Sequence, residues 1–385
     1  MTRALRVTRE QILAFRLAGH HLIERRPPAE LADVAGACGI RNTPPGSSLL
    51  ALHARLADFS PVAVDRALAE TRMLVEVLGM RISPHLVPTR DLALFTLGAL
   101  PAQEASLRGV LNTFTARLDR AGISATDALN LATEAASSEL AAGPLSRGAL
   151  SAGMTRRLPE ALSLFCRACG STHVFESLFR LVGVHGVWLI TRSGKRSVYV
   201  HTDLWLDAVP IGDHASLRTE LLRRYLRCFG PSTAREFGDW VGIGAAEAQQ
   251  DWDSISERLV EVDVAGRRAW ICADDLPTVE SPPEPMGVRL LPPYDAYLDQ
   301  RDRLTLIPDK ARHRQVWAVL GNPGGLLVDG ELAGTWRSQK KGRRLKIAVS
   351  AFSPLPPRTR TEIEAEAALL GPIRDCTSVD VEFDA

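Results

Sequence analysis

Apolar residues recur along the chain at helical spacing in short blocks, and each block gives way to runs in which apolar and polar positions alternate. The clearest block lies over residues 213–274. Leu217, Leu221, Leu222, Tyr225 and Phe229 share one helical face, and Gly230-Pro231 stops that helix. Ser232 or Thr233 can cap a second helix running through Trp240, because a hydroxyl there accepts an amide bond left orphaned in the first turn. Glu236 follows Thr233 by the three positions of a capping box. Gly242 and Gly244 make a turn, and a third helix from Ala245 to about Arg258 turns Ala248, Trp252 and Ile255 inward. Two β-prone runs, 259–264 and 269–272, are joined by Ala265-Gly266-Arg267-Arg268. Helix, turn, helix and hairpin in this order make a winged helix.

The same pattern predicts two further copies. One has helices over 124–140, 144–153 and 172–181, then hairpin strands over 187–190 and 196–201 around a basic tip at 191–195. The other uses helices over 8–23, 28–38, 46–58 and 61–69, with a hairpin near 74–87. From Pro282 onward the character changes. Pro282, Pro283 and Pro285 form a linker, and 326–328, 331–337 and 345–350 then alternate like antiparallel strands, with Asp329-Gly330 as a tight turn. A helix over 361–370 and a last strand over 377–383 complete this part. The expected fold is α+β: three tandem winged-helix motifs over 1–100, 101–210 and 211–284, followed by a small β-rich C-terminal domain over 285–385.

With 45% hydrophobic and 24% charged residues, the composition is that of an ordinary globular chain and excludes disordered, fibrous and membrane-spanning classes. Lys+Arg 46 against Asp+Glu 45 leaves a net charge of +1, so attraction to a polyanion must come from local features. One such feature stands out. Residues 336–346 hold Arg337, Lys340, Lys341, Arg343, Arg344 and Lys346, and no acid occurs between Leu332 and Thr361. A hairpin tip there suits a phosphate backbone, or else blunts an edge strand with solvated charge. Arg192, Lys195 and Arg196 on one wing, and Arg267 and Arg268 on another, would add flanking contacts that fix register on a duplex. Tandem winged helices also serve protein contacts.

Other candidates are quieter. The N-terminus carries Arg3, Arg6, Arg9 and Glu10 with no apolar stretch of a secretory signal, which points to the cytoplasm. Six cysteines spread over the chain fit reduced thiols, and no disulfide is expected. Cys166 and Cys169, followed by His173, lack a second ligand pair, so they read as two buried helix thiols, and neither metal nor cofactor is expected. His20-His21 and Arg25-Arg26 read as helix-end cations. No phosphate-binding glycine loop and no Gly-x-Ser-x-Gly elbow occurs. Within 290–303, Asp295 and Asp302 admit two readings, as a general base or as a capping Asp and an Asp–Arg pair that orient the linker.

Three stretches together resemble a known family. They are 38–56 (CGIRNTPPGSSLLALHARL), 290–303 (LLPPYDAYLDQRDR) and 326–337 (LLVDGELAGTWR), which are similar to the AlkZ-like and YcaQ-like winged-helix DNA glycosylases over nearly the whole chain. The resemblance implies a C-shaped scaffold of three tandem winged helices and a β-rich domain that binds double-stranded DNA; a monomer is expected. It further implies metal-independent excision of alkylated or crosslinked purines, whose cationic base already leaves readily, so that positioning and polarising a water suffices. In the family that water is held by glutamine, an intervening residue, then glutamine or aspartate. Matching the flanks puts Arg41 and Thr43 on these positions, with Asn42 between them. This chain departs from the pattern: a guanidinium only donates, and a threonine hydroxyl is a poor base. A DNA glycosylase is the expected function, and a non-catalytic DNA-binding regulator or lesion sensor is the alternative.

Overall fold

Several helices begin where the sequence offers a cap. Thr8 opens the helix Arg9–Gly19 with a reciprocal pair: its hydroxyl accepts from Gln11 N at 3.2 Å, and Gln11 Oε1 accepts from Thr8 N at 2.9 Å. Ser124 caps Ala125–Leu140, and Ser146 caps Arg147–Arg157. The computed structural model describes residues 5–193, 196–209, 212–318 and 321–384. Its residues gather into two compact units, the first from 1–64, 223–233 and 257–385, the second from 65–222 and 234–256. The architecture is mixed α and β.

In the first unit, the buried face of Arg9–Gly19 packs Ile12 and Phe15 against a three-stranded sheet. Leu5–Arg6 runs parallel to Leu259–Val264, which pairs antiparallel with Arg267–Cys272. Ala265 and Gly266 take φ 52° and 85°, so the turn between the latter two strands is tighter than the four residues expected. A five-stranded sheet follows in the order Val288–Leu291, Gly324–Val328, Glu331–Lys341, Arg344–Ala351, Ser378–Phe383, the last pair parallel and the others antiparallel. Asp329-Gly330, with φ 47° and 82°, makes the expected tight turn. Helix Pro357–Ala368 lays Ile363 and Ala367 on this sheet over Leu290, Leu326, Trp336 and Ile347. Gly324 is required here, because a Cβ would lie 2.3 Å from the Trp336 indole and 2.4 Å from Leu291 O.

The second unit is built around Ala125–Leu140. Ala128, Ala132, Ala135 and Ala136 form a narrow buried stripe that lets Glu176–Val184 and Trp188 pack close. Strands Pro84–Pro88, Leu74–Leu78, Trp188–Ser193 and Arg196–His201 are neighbours in that order. Helix Ala245–Asp253 is tied to residues 98–100 through Arg218, which is 1% exposed and donates to Gly98 O and Leu100 O while pairing with Asp251. Glu247 accepts from the amides of Ala102 and Gln103.

The helix expected over 172–181 is corrected. Ser171–Val174 is a strand paired antiparallel with Ser163–Cys166, and the helix starts only at Glu176 and ends at Val184. Cys166 and Cys169 therefore sit at a hairpin end rather than on a helix, and Cys169 is exposed rather than buried. The reason is local. Gly170 takes φ 63° in the turn, and Thr172, His173 and Val174 suit a pleated surface better than a helix start. The helix expected over 144–153 runs instead from Arg147 to Arg157.

Candidate functional site

The loop at 41–46 in the first unit is held from inside. Asn42, 6% exposed, accepts from Gly46 N at 2.8 Å and from Ser48 Oγ at 3.0 Å. Ser47 Oγ adds a bond to Arg41 O at 3.4 Å, and Gly46 takes φ 87° ahead of the helix Ser47–His53. The Asn42 carbonyl is thus committed to shaping the loop. Arg41 and Thr43, on either side, are half-buried.

Arg41 meets residues 292–302. Its guanidinium carbon lies 5.3 Å from the Tyr294 ring centroid, and Nη1 lies 3.9 Å from Asp299 Oδ2. Asp299 also pairs with Arg301 at 3.0 Å. The carboxylates singled out in the sequence go elsewhere. Asp295, 2% exposed, receives two bonds from the buried Arg55 at 2.7 and 2.8 Å and caps Tyr297 N at 3.0 Å. Asp302 receives two bonds from Arg16 at 2.9 Å each. The capping and orienting reading of Asp295 and Asp302 therefore holds: Asp295 is buried, and Asp302, its side chain 11% exposed, is engaged by Arg16 and Arg267. Gln300 is 2% exposed, and its amide has no hydrogen-bond partner among the described residues.

Beside the loop lies a cavity of about 180 Å³ whose lining includes Pro44, Pro45, Ser47, Pro293, Trp336 and Arg337, with Arg374. Its floor is apolar, since Trp336 is 3% exposed and its indole donates to Leu291 O at 2.7 Å. Arg337 and Arg374 give it positive charge. Arg337 projects from the strand Glu331–Lys341, exposed, with one bond to Gly321 O at 2.8 Å.

The cations of this hairpin do not form one uniform patch. The parallel strand Ser378–Phe383 brings acids beside Arg344–Ala351, so Arg344 pairs with Asp380 and Lys346 with Glu382. That neutralisation was invisible along the sequence, where no acid is near. Lys340 donates to Arg374 O at 2.6 Å. Lys340, Lys341 and Arg343 are exposed, and among the described residues no carboxylate pairs with them. Of the expected wing cations, Arg267 is 3.3 Å from Asp302 and Arg268 pairs with Glu261 across its strand pair. Arg192 and Arg196 are exposed on the second unit's hairpin, and Lys195 lies outside the described residues. Among the described residues, no helix is long and apolar enough to cross a membrane.

Among the described residues, two side-chain groups combine thiols with histidine. His20, Cys38 and Cys228 are buried in the first unit, whereas Cys166, Cys169 and His173 sit near the surface of the second. Cys38 is pushed well above the ordinary thiol range, first by its hydrogen bond with Cys228 and then by burial. Cys166 is pulled down to about 6, chiefly because Cys169 and then His173 hydrogen-bond to it. The helix-end cations at 20–26 are also more than that: His20 is 1% exposed, and Arg25 donates to His53 O at 2.9 Å and reaches Glu366 at 2.6 Å.

Residues 34–373 match the sequence model of the AlkZ-like DNA glycosylases, and the chain belongs to that family. A curated relative, the interstrand DNA cross-link repair glycosylase of Streptomyces sahachiroi, is 27% identical over 156 residues. That match covers 38% of this chain and 40% of the relative, so it spans well under half the length of either. The solved structure of Streptomyces sahachiroi DNA glycosylase AlkZ superposes with a TM-score of 0.77, covering 99% of this chain and 100% of that one. At 18% identity this likeness is one of fold.

Proposed function

We propose that this member of the AlkZ-like DNA glycosylase family binds duplex DNA through three tandem winged helices over 1–100, 101–210 and 211–284 and a β-rich domain over 285–385, and hydrolyses the N-glycosidic bond of a cationic, alkylated or crosslinked purine. Arg337, Lys340, Lys341 and Arg343 hold phosphates, with Arg192, Lys195, Arg196, Arg267, Arg268 and Arg344 as outer contacts. The loop at 41–43 faces the lesion. Arg41 cannot take a proton, so the base is Asp299, held by Arg301 at 3.0 Å and lying 3.9 Å from Arg41. Asn42 keeps the loop in shape, and Thr43 offers a hydroxyl to the water.

The chemistry balances without any added group. The water oxygen bonds to C1′ as the bond from C1′ to the purine nitrogen breaks. The bonding pair leaves with the cationic base, which departs neutral, and the water proton passes to Asp299. The anionic carboxylate also faces the positive charge that develops on the sugar, while Arg301 holds it at 3.0 Å. The observation that carries this reading is a carboxylate 3.9 Å from the guanidinium that occupies the family's first motif position.

The test is base release from DNA containing N7-methylguanine, under single-turnover excess of protein. Release of the free base leaving an alkali-labile site is expected, with Asp299→Asn slowing it and Arg41→Gln with Thr43→Gln not slowing it. No release by the wild-type chain, together with retained DNA binding, favours the second reading, a lesion sensor, to which the always-protonated guanidinium at 41 and the weakly basic hydroxyl at 43 point.

A further inference from the structure

The strands Ser163–Cys166 and Ser171–Val174 pair with Cys166 opposite Ser171 and Leu164 opposite His173. Side chains alternate faces along a strand, so Cys166 and His173, at diagonal positions of the ladder, share one face. The turn at 167–170, with Gly170 at φ 63°, folds Cys169 back over that face. The result is three soft or borderline donors in one place: Cys166 Sγ is 3.0 Å from Cys169 Sγ, and Cys169 Sγ is 3.7 Å from His173 Nε2. All three donor atoms lie within 4.8 Å of one another.

The histidine is also oriented for the purpose. His173 Nδ1 lies 2.8 Å from Val174 O. A carbonyl oxygen only accepts, so Nδ1 carries the proton, and the lone pair of Nε2 is left facing the thiols. A second partner that fixes the tautomer in this way is what metal-binding imidazoles have. We propose that Cys166, Cys169 and His173 bind one zinc ion per chain. Two thiolates and an imidazole select zinc over hard cations. The fourth position opens on a cavity of about 690 Å³ lined in part by Cys169, His173, Glu176 and Arg147. Glu176 is held by Arg147 and by Arg180, so the fourth ligand is a solvent molecule. Binding releases the thiol protons to solvent and closes the turn on the short hairpin.

The buried group of the first unit has the same composition and does not do this. There Cys228 Sγ is turned onto backbone carbonyls, donating to Gly19 O at 3.4 Å with Ala37 O at 3.6 Å. All three of its residues are closed off from solvent.

The experiment titrates the reduced full-length chain with zinc, and separately with cobalt, against a chromophoric chelator. One equivalent is expected, with a sulfur-to-cobalt charge-transfer band and the visible bands of a tetrahedral site. Cys166→Ser, Cys169→Ser and His173→Ala should each weaken uptake by about tenfold or more. Alkylation mapped by mass spectrometry gives a readout that needs no variant: zinc should shield the thiols at 166 and 169. No uptake by the reduced chain overturns the proposal, as does uptake unchanged in Cys166→Ser or a cobalt spectrum without the sulfur band. A Cys166–Cys169 disulfide in the isolated chain that takes up no zinc after reduction also overturns it. None of these outcomes bears on base excision.

Discussion

Arg55 and Arg41 lie in the same unit, each beside a carboxylate of residues 292–302, yet their surroundings differ in kind. Arg55 is 1% exposed, and every described bond it makes is short and directional: two to Asp295, one to His20 O and one to Ala51 O. Arg41 is half-buried, with a carboxylate 3.9 Å away and an aromatic ring 5.3 Å away. A fully satisfied buried pair fixes how chain segments meet and has no capacity left for a reactant. The Arg41 and Asp299 side chains, 19% and 23% exposed, are instead within reach of water or DNA. The contrast separates Asp295, buried and bonded twice to Arg55, from Asp299, whose side chain is 23% exposed.

The comparison breaks first at Arg55. Arg55→Ala leaves Asp295 buried and uncompensated, and should cost roughly 3–5 kcal/mol in urea unfolding. A loss below about 1 kcal/mol would place Arg55 with Arg41 after all. The interior can be probed next through His53, whose imidazole burial pushes down to about 4 from an ordinary value of 6.5. The unfolded chain then binds the extra proton between these two values. Stability is therefore full above about pH 6.5 and falls as pH drops toward 4, by up to about 3 kcal/mol. His53→Asn should remove that pH dependence, and an unchanged profile would reject the assignment.

At the rim the expected effect is on rate. Asp299→Asn should lower base release by about a hundredfold with stability nearly unchanged, whereas Asp302→Asn should mainly destabilise through Arg16. Equal rates for Asp299→Asn and wild type would remove the carboxylate from the chemistry. The smallest effect is expected at the hairpin. Lys341→Ala with Arg343→Ala should reduce the salt dependence of DNA affinity by about two phosphate contacts. Arg344→Ala, an outer contact already paired with Asp380, should reduce it by less than one phosphate contact.

Much of the architecture was readable in advance because it depends on local rules. Thr8 and Ser124 mark helix starts, Asp329-Gly330 marks a tight turn, and the alternation in 331–337 and 345–350 marks two strands of the five-stranded sheet. The site was readable only in part. The loop at 41–43 was located, but Asn42 proved to be its staple, and nothing in residue order marked Asp299, Tyr294 or Arg374 as neighbours of that loop. The Cys166, Cys169 and His173 spacing was visible, but a helix expected over 172–181 would have turned the histidine off the face that the hairpin gives it.

The sequence by itself determined the capped helix starts at Thr8 and Ser124 and the tight turn at Asp329-Gly330, since caps and glycine turns act within a few residues. Tertiary structure alone decided which charges remain available. Asp380 reaches Arg344, Asp295 reaches Arg55 and Glu366 reaches Arg25 across long stretches of chain. Coulomb attraction and desolvation depend on distance through space, which residue order does not encode.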